Sequence, residues 1–146
     1  MRRDRPPTRR RWGSFPTTAD VGIWARGGNA AELFEALGLG LFALMVDLRG
    51  VRAREQRAVS AAGADPEALV VAYLTQLLLL EQADGFVGRT IRARPVGDPP
   101  TAVVASVAGE PLDPGRHALR TEVKAVTMHE LAVDFRSGRA RVIVDI

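Results

Sequence analysis

The 146-residue chain has no cysteine, which excludes disulfides, thiolate zinc sites and cysteine nucleophiles and suits a reducing cytosol. Any metal would rest on oxygen donors or on the two histidines. No apolar run approaches the roughly 20 residues a membrane helix requires, so a soluble protein with no membrane partner is expected. After Arg2-Arg3, the positions where an export signal would be apolar hold Pro6-Pro7-Thr8 and Arg9-Arg10-Arg11, and the expected location is cytoplasmic. Gly-x-Gly-x-x-Gly and Walker loops, a Gly-x-Ser-x-Gly elbow and a His-x-x-x-His pair are all missing. Lysine is nearly absent: Lys124 stands alone among twenty basic residues, inside a strand-like run where a compact ammonium replaces the forked guanidinium used everywhere else.

What remains is 47% hydrophobic and 25% charged, the balance of one globular domain that can bury a core. The net charge of +3 is unevenly spread, because residues 1–11 hold six Arg and one Asp, or +5, which leaves −2 on the rest. Residues 1–15 are expected to be a disordered Arg-rich arm able to touch RNA phosphates. Residues 16–146 form the single domain.

Residues 19–25 alternate as a first strand, and Gly27-Gly28 turns the chain. Asn29 with Glu32 three residues on resembles a capping box, opening a helix through Leu33, Phe34, Leu37, Leu41, Leu44 and Met45, although Gly38 and Gly40 weaken its propensity. An edge strand is expected over 51–62. Asp65-Pro66-Glu67 starts a second helix that Gly85 ends. Strands follow over 87–94, 101–107, 123–133 and 139–145. The order β-α-β-α-β-β-β-β predicts an α+β two-layer sandwich of about six mostly antiparallel strands, with both helices on one side.

Asp20, Asp47 and Asp145 stand at element ends. Such acids act as caps, turns and edge charges, or as oxygen ligands for Ca²⁺, Mg²⁺ or Mn²⁺. Asp47 follows a helix C-terminus, where an extra carboxylate is unfavourable unless a cation is near. His117 beside Arg116 reads as a turn residue, and His129 as a strand-end side chain with a hydrogen-bond partner. Trp12 and Trp24 are too few and too separated for an aromatic nucleic-acid platform.

Several blocks in order resemble the archease family: Thr18-Ala19-Asp20-Val21-Gly22-Ile23, Glu32-Leu33-Phe34, Met45-Val46-Asp47, the Leu-rich second helix, Gly109-Glu110-Pro111, His117, Glu122-Val123-Lys124-Ala125-Val126-Thr127 and Asp145-Ile146. The resemblance covers nearly all of residues 17–146. It implies a protein cofactor, not an enzyme, that activates an RtcB-type RNA ligase using GTP and Mn²⁺ in tRNA splicing or RNA repair, by promoting guanylylation of the ligase and multiple turnover. It also implies metal ligation by Asp20, Asp47 and Asp145, with a terminal oxygen of Ile146, and a functional role for Lys124. The implied cofactor is a divalent metal, Ca²⁺ or else Mn²⁺ or Mg²⁺. Two positions depart from the pattern: Thr17 replaces a usual His, and Met128 a usual Tyr. The competing readings are a metal-dependent phosphoesterase using the same three aspartates and an RNA-binding or chaperone-like module using the arm.

Overall fold

The computed structural model describes residues 10–146. In chain order these form β1 (Trp12–Pro16), β2 (Val21–Arg26), α1 (Ala30–Met45), a 3-10 turn at Leu48–Gly50, β3 (Glu55–Ala62), α2 (Pro66–Asp84), β4 (Phe86–Gly97), β5 (Pro100–Pro111), β6 (Ala125–Val126), β7 (Ala132–Asp134) and β8 (Arg139–Asp145). The class is α+β, and all strand pairs are antiparallel. The strands divide into two sheets, one ordered β1-β2-β8-β6 with β7 also on β8, the other β3-β5-β4.

Local chemistry sets the helix ends. Asn29 Oδ1 accepts the Glu32 N–H at 2.8 Å, and Glu32 Oε1 accepts the Gly28 N–H at 2.8 Å, a reciprocal cap. Asp65 caps α2 by accepting the Ala68 N–H at 2.7 Å ahead of Pro66. Gly85, left-handed at φ 63°, closes α2 by donating to Glu81 O.

The core explains the two helical glycines. Helix α1 is buried nearly all round, through Leu33, Phe34, Leu37, Leu41 and Phe42, because it packs against both sheets. A Cβ at Gly38 would meet Ile91 of β4 and Leu77 of α2, and one at Gly40 would meet Ile23 of β2 and Trp12 of β1. Their missing side chains let the helix approach on two sides, and burial outweighs the roughly 1 kcal/mol each costs in propensity.

Four expectations are corrected. Residues 12–15 are not part of an arm: Trp12–Pro16 is a sheet strand paired with β2, and Trp12 packs against the core; residues 1–9 of the expected arm lie outside those described. Residues 51–54 are loop, although β3 is the edge strand foreseen. The run 123–133 is two short strands, because Met128 to Leu131 turn the chain away and Glu130 takes φ 48°. With β1 added and that run divided, the strands number eight, not about six.

Candidate functional site

The sheet register gathers part of the predicted site at one end of the first sheet. The β2–β8 ladder ends at Val21↔Val144, which leaves Asp20 and Asp145 as the next residues on neighbouring strands. Asp20 sits in a tight turn where its N–H donates to Thr17 Oγ1 at 3.0 Å. The Thr17 hydroxyl thus serves the backbone of that turn.

On the other side of β8, Ala125 pairs with Asp145, and the Lys124 N–H donates to Asp145 O at 2.7 Å. Gln82 Nε2 of α2 donates to the carbonyls of Val123 at 3.2 Å and Lys124 at 3.1 Å. The Lys124 backbone is therefore clamped while its side chain is exposed, and among the described residues its ammonium forms no ion pair. Ile146 follows at the chain end, 39% exposed.

Asp47 is placed differently. It caps the 3-10 turn by accepting the Arg49 N–H at 3.0 Å, and its two oxygens take Arg49 Nε at 3.0 Å and Nη2 at 2.7 Å. Arg120 Nη2 lies 3.6 Å away. The Arg49 guanidinium hydrogen bonds, before any other cause, hold this carboxyl well below the usual carboxylate range. The cation that an acid at a helix C-terminus requires is supplied here by arginine. Residues 118–121 reach this place by pairing back on α1's last turn, through Asp47 N to Ala118 O and Arg120 N to Met45 O, both 2.9 Å.

Among the described residues, no three His, Asp or Glu side chains gather around one point that an ion could share. The donor chemistry of Asp20 and Asp145 fits a hard divalent cation. The placement brings those two aspartates side by side and commits Asp47 to Arg49.

Sequence reasoning missed the buried polar pair. Glu110 and His117 are 2% and 3% exposed. Glu110 Oε2 accepts the Arg52 N–H at 2.8 Å and contacts His117 Nε2 at 2.9 Å, while Arg116 lies on Oε1 at 2.5 Å. His117 Nδ1 accepts the Asp113 N–H at 2.8 Å, so that nitrogen carries no proton and Nε2 is the donor to Glu110. His117 is thus the turn residue expected, and it is buried, clasping its turn to β5. The Arg116 hydrogen bond, then the Arg52 N–H and His117, hold the Glu110 carboxyl down to about 2 against the opposing effect of burial. Every polar atom of the pair is engaged, which leaves it no way to reach a substrate. It ties β5 to the loops at 50–54 and 113–117; the sequence signal was an acid set between Gly109 and Pro111 in an apolar strand with a histidine seven positions on.

His129 is exposed, with Nε2 3.1 Å from Glu130, and Met128 is 57% exposed. No helix among the described residues is long and apolar enough to cross a membrane.

Comparison with known proteins agrees with this frame. The family model described as the archease protein family matches residues 12–146, beginning at the first residue of β1. Protein archease of Thermococcus gammatolerans is 39% identical over 126 residues, 86% of this chain and 89% of the relative. That of Pyrococcus abyssi is 33% identical over 141 residues, 94% and 99% of the two chains. The solution structure of Methanobacterium thermoautotrophicum protein 1598 superposes with TM-score 0.75 at 30% identity, covering 94% of this chain and all of that one. A Thermotoga maritima archease, described as a possible chaperone, shares the fold at TM-score 0.60 and 19% identity over the whole of both chains. With the match running from β1 to the last residue, this chain belongs to the archease family.

Proposed function

We propose that this protein is an accessory activator, not itself a ligase, that promotes guanylylation and multiple turnover of an RtcB-type RNA ligase in tRNA splicing or RNA repair. Besides family membership, one observation carries the reading: the single lysine is held by its backbone beside Asp145 and Asp20 and presents an ammonium that pairs with no described residue. A mobile point charge at the tip of a rigid sheet can reach a phosphate or carboxylate of a partner, where a guanidinium would favour a fixed planar contact. The neighbouring acids suit this tip for the divalent cation that the resemblance implies, with Asp20, Asp145 and an oxygen of Ile146 as the donors here and Asp47 joining them on giving up Arg49. When bound, such an ion would supply positive charge at the partner's site.

The test is co-reconstitution with an RtcB-type ligase, GTP and Mn²⁺, scored by ligase guanylylation. A rise in guanylylation and in turnovers per ligase is expected on adding this protein. Identical guanylylation with and without it would overturn the reading.

A further inference from the structure

The outer face of the first sheet carries a pattern that the ligase reading leaves unused. Side chains alternate across the pleat. Ile23 and Ala25 of β2 point into the core, so Gly22, Trp24 and Arg26 face outward. The register sets Gly13 opposite Trp24 and Phe15 opposite Gly22. Each ring lies over a glycine of the adjacent strand: a Cβ at Gly13 would meet the Trp24 indole, and one at Gly22 would run into the Phe15 ring. Two aromatic rings thereby lie on neighbouring strands: Trp12 packs toward the core, but strand pairing gives Trp24 a neighbour in Phe15 that their separation in sequence hid.

The next strand adds charge. On β8, Arg141 is paired with Trp24 and Arg139 with Arg26. The Arg141 guanidinium stands 5.2 Å from the Phe15 ring centroid, and that of Arg26 5.7 Å from the Trp24 centroid, within cation–π range. Arg26 and Arg139 oppose each other directly, an arrangement that is destabilising for like charges on a sheet. Among the described residues neither forms an ion pair. Over this place lies an open depression of about 480 Å³ whose lining includes Trp24, Arg26, Arg139 and Arg141. One acid lines it, Asp134 on β7, the cross-strand partner of Arg139, and a second, Glu130, lies 3.8 Å from Arg141.

We infer that this face binds single-stranded nucleic acid, with bases stacked on Trp24 and Phe15 and a phosphate seated between Arg26 and Arg139. A phosphate there converts the repulsion of two guanidiniums into two charge-assisted contacts. A flat sheet reaches base faces only when they are unstacked, so a single strand fits and a duplex does not. Asp134, opposite Arg139 on β7, closes the outer side of this seat, and Glu130 beside Arg141 bounds it along β8, so the phosphate is placed on the Arg26 side of Arg139.

The test needs no ligase, so its outcome is separate from that of the proposed function. Fluorescence anisotropy of a short labelled oligouridine is titrated with the full chain at several salt concentrations, with an RNA duplex of equal length as comparison. Single-stranded RNA should bind at least roughly tenfold more tightly than duplex. The double variant Arg26→Gln, Arg139→Gln should bind about tenfold more weakly, with a salt slope shallower by about one to two. Trp24→Leu should weaken binding roughly tenfold with the slope unchanged, its fold checked by melting; the surface arginine pair carries the test if Trp24→Leu unfolds. Equal binding by the folded arginine variant overturns the inference, as does equal affinity for duplex. So does binding that depends wholly on residues 1–9.

Discussion

Lys124 and Glu110 show how position decides what a charge does. The Lys124 side chain is exposed and unpaired among the described residues, and exposed charges are worth roughly 0–1 kcal/mol. Lys124→Ala should therefore shift the melting temperature by no more than about 3 °C while losing most stimulation of ligase guanylylation, and Lys124→Arg should restore only part of it. A large loss of stability, or full activation by the alanine variant, would make the lysine structural or idle. Glu110 is the reverse case. Glu110→Ala leaves the Arg52 N–H and His117 Nε2 without an acceptor and should cost about 3 kcal/mol, read as a fall in melting temperature of roughly 10 °C. With its carboxyl at about 2 folded against an ordinary 4.5, its contribution is complete above about pH 4.5 and is lost as pH falls toward 2. Wild type should accordingly lose stability across that acid window, and Glu110→Gln should show a flatter acid limb in melts over the same range.

Among the elements, β1 separates fold from tail. The Arg26 N–H donates to Arg11 O at 2.8 Å and Arg11 pairs with Glu32 at 3.2 Å, so the fold begins by Arg11. Removing residues 1–9 should leave the melting temperature and ligase stimulation unchanged and lower only salt-sensitive RNA association. Removing residues 1–16 strips β2 of its edge partner and uncovers the ground beneath Trp12; a loss of at least about 3 kcal/mol is expected, and a truncated protein as stable as wild type would contradict the strand's role. Helix α1 offers a sharper case. Gly38→Ala improves helix propensity by about 1 kcal/mol yet drives a Cβ to 2.5 Å from Ile91 and 2.7 Å from Leu77. The variant should be destabilised by about 1 kcal/mol or more, because overpacking outweighs propensity in a core helix; chemical denaturation measures the sign.

For the molecule as a whole, metal binding is best read through folding. A cation that binds only the folded state raises stability by about 2.7 kcal/mol at a hundred times its Kd. Ca²⁺ or Mn²⁺ should raise the melting temperature of the wild type, with the shift lost in Asp145→Ala and weakened less in Asp47→Ala, whose carboxylate is already committed to Arg49. An unchanged melting temperature in the wild type would remove the metal from the proposal. Much of this architecture was legible in the chain because its signals act over three or four residues: the caps at Asn29 and Asp65, the stop at Gly85 and the switch from helical to alternating spacing each lie within one element. The blocks that resemble the archease family also singled out Asp20, Asp47, Asp145 and Lys124, of which the register sets Asp20, Asp145 and Lys124 at one sheet end. What the sequence could not reveal depends on partners far apart along the chain. The meeting of Arg120 with Asp47, the clasp of Glu110 by Arg52, and the stacking of β1 on β2 and of β2 on β8 are settled by strand pairing. Register is chosen by which faces the whole core buries, so an arginine beside an acid, or two aromatic rings on one face, became visible only once the sheets had closed around α1.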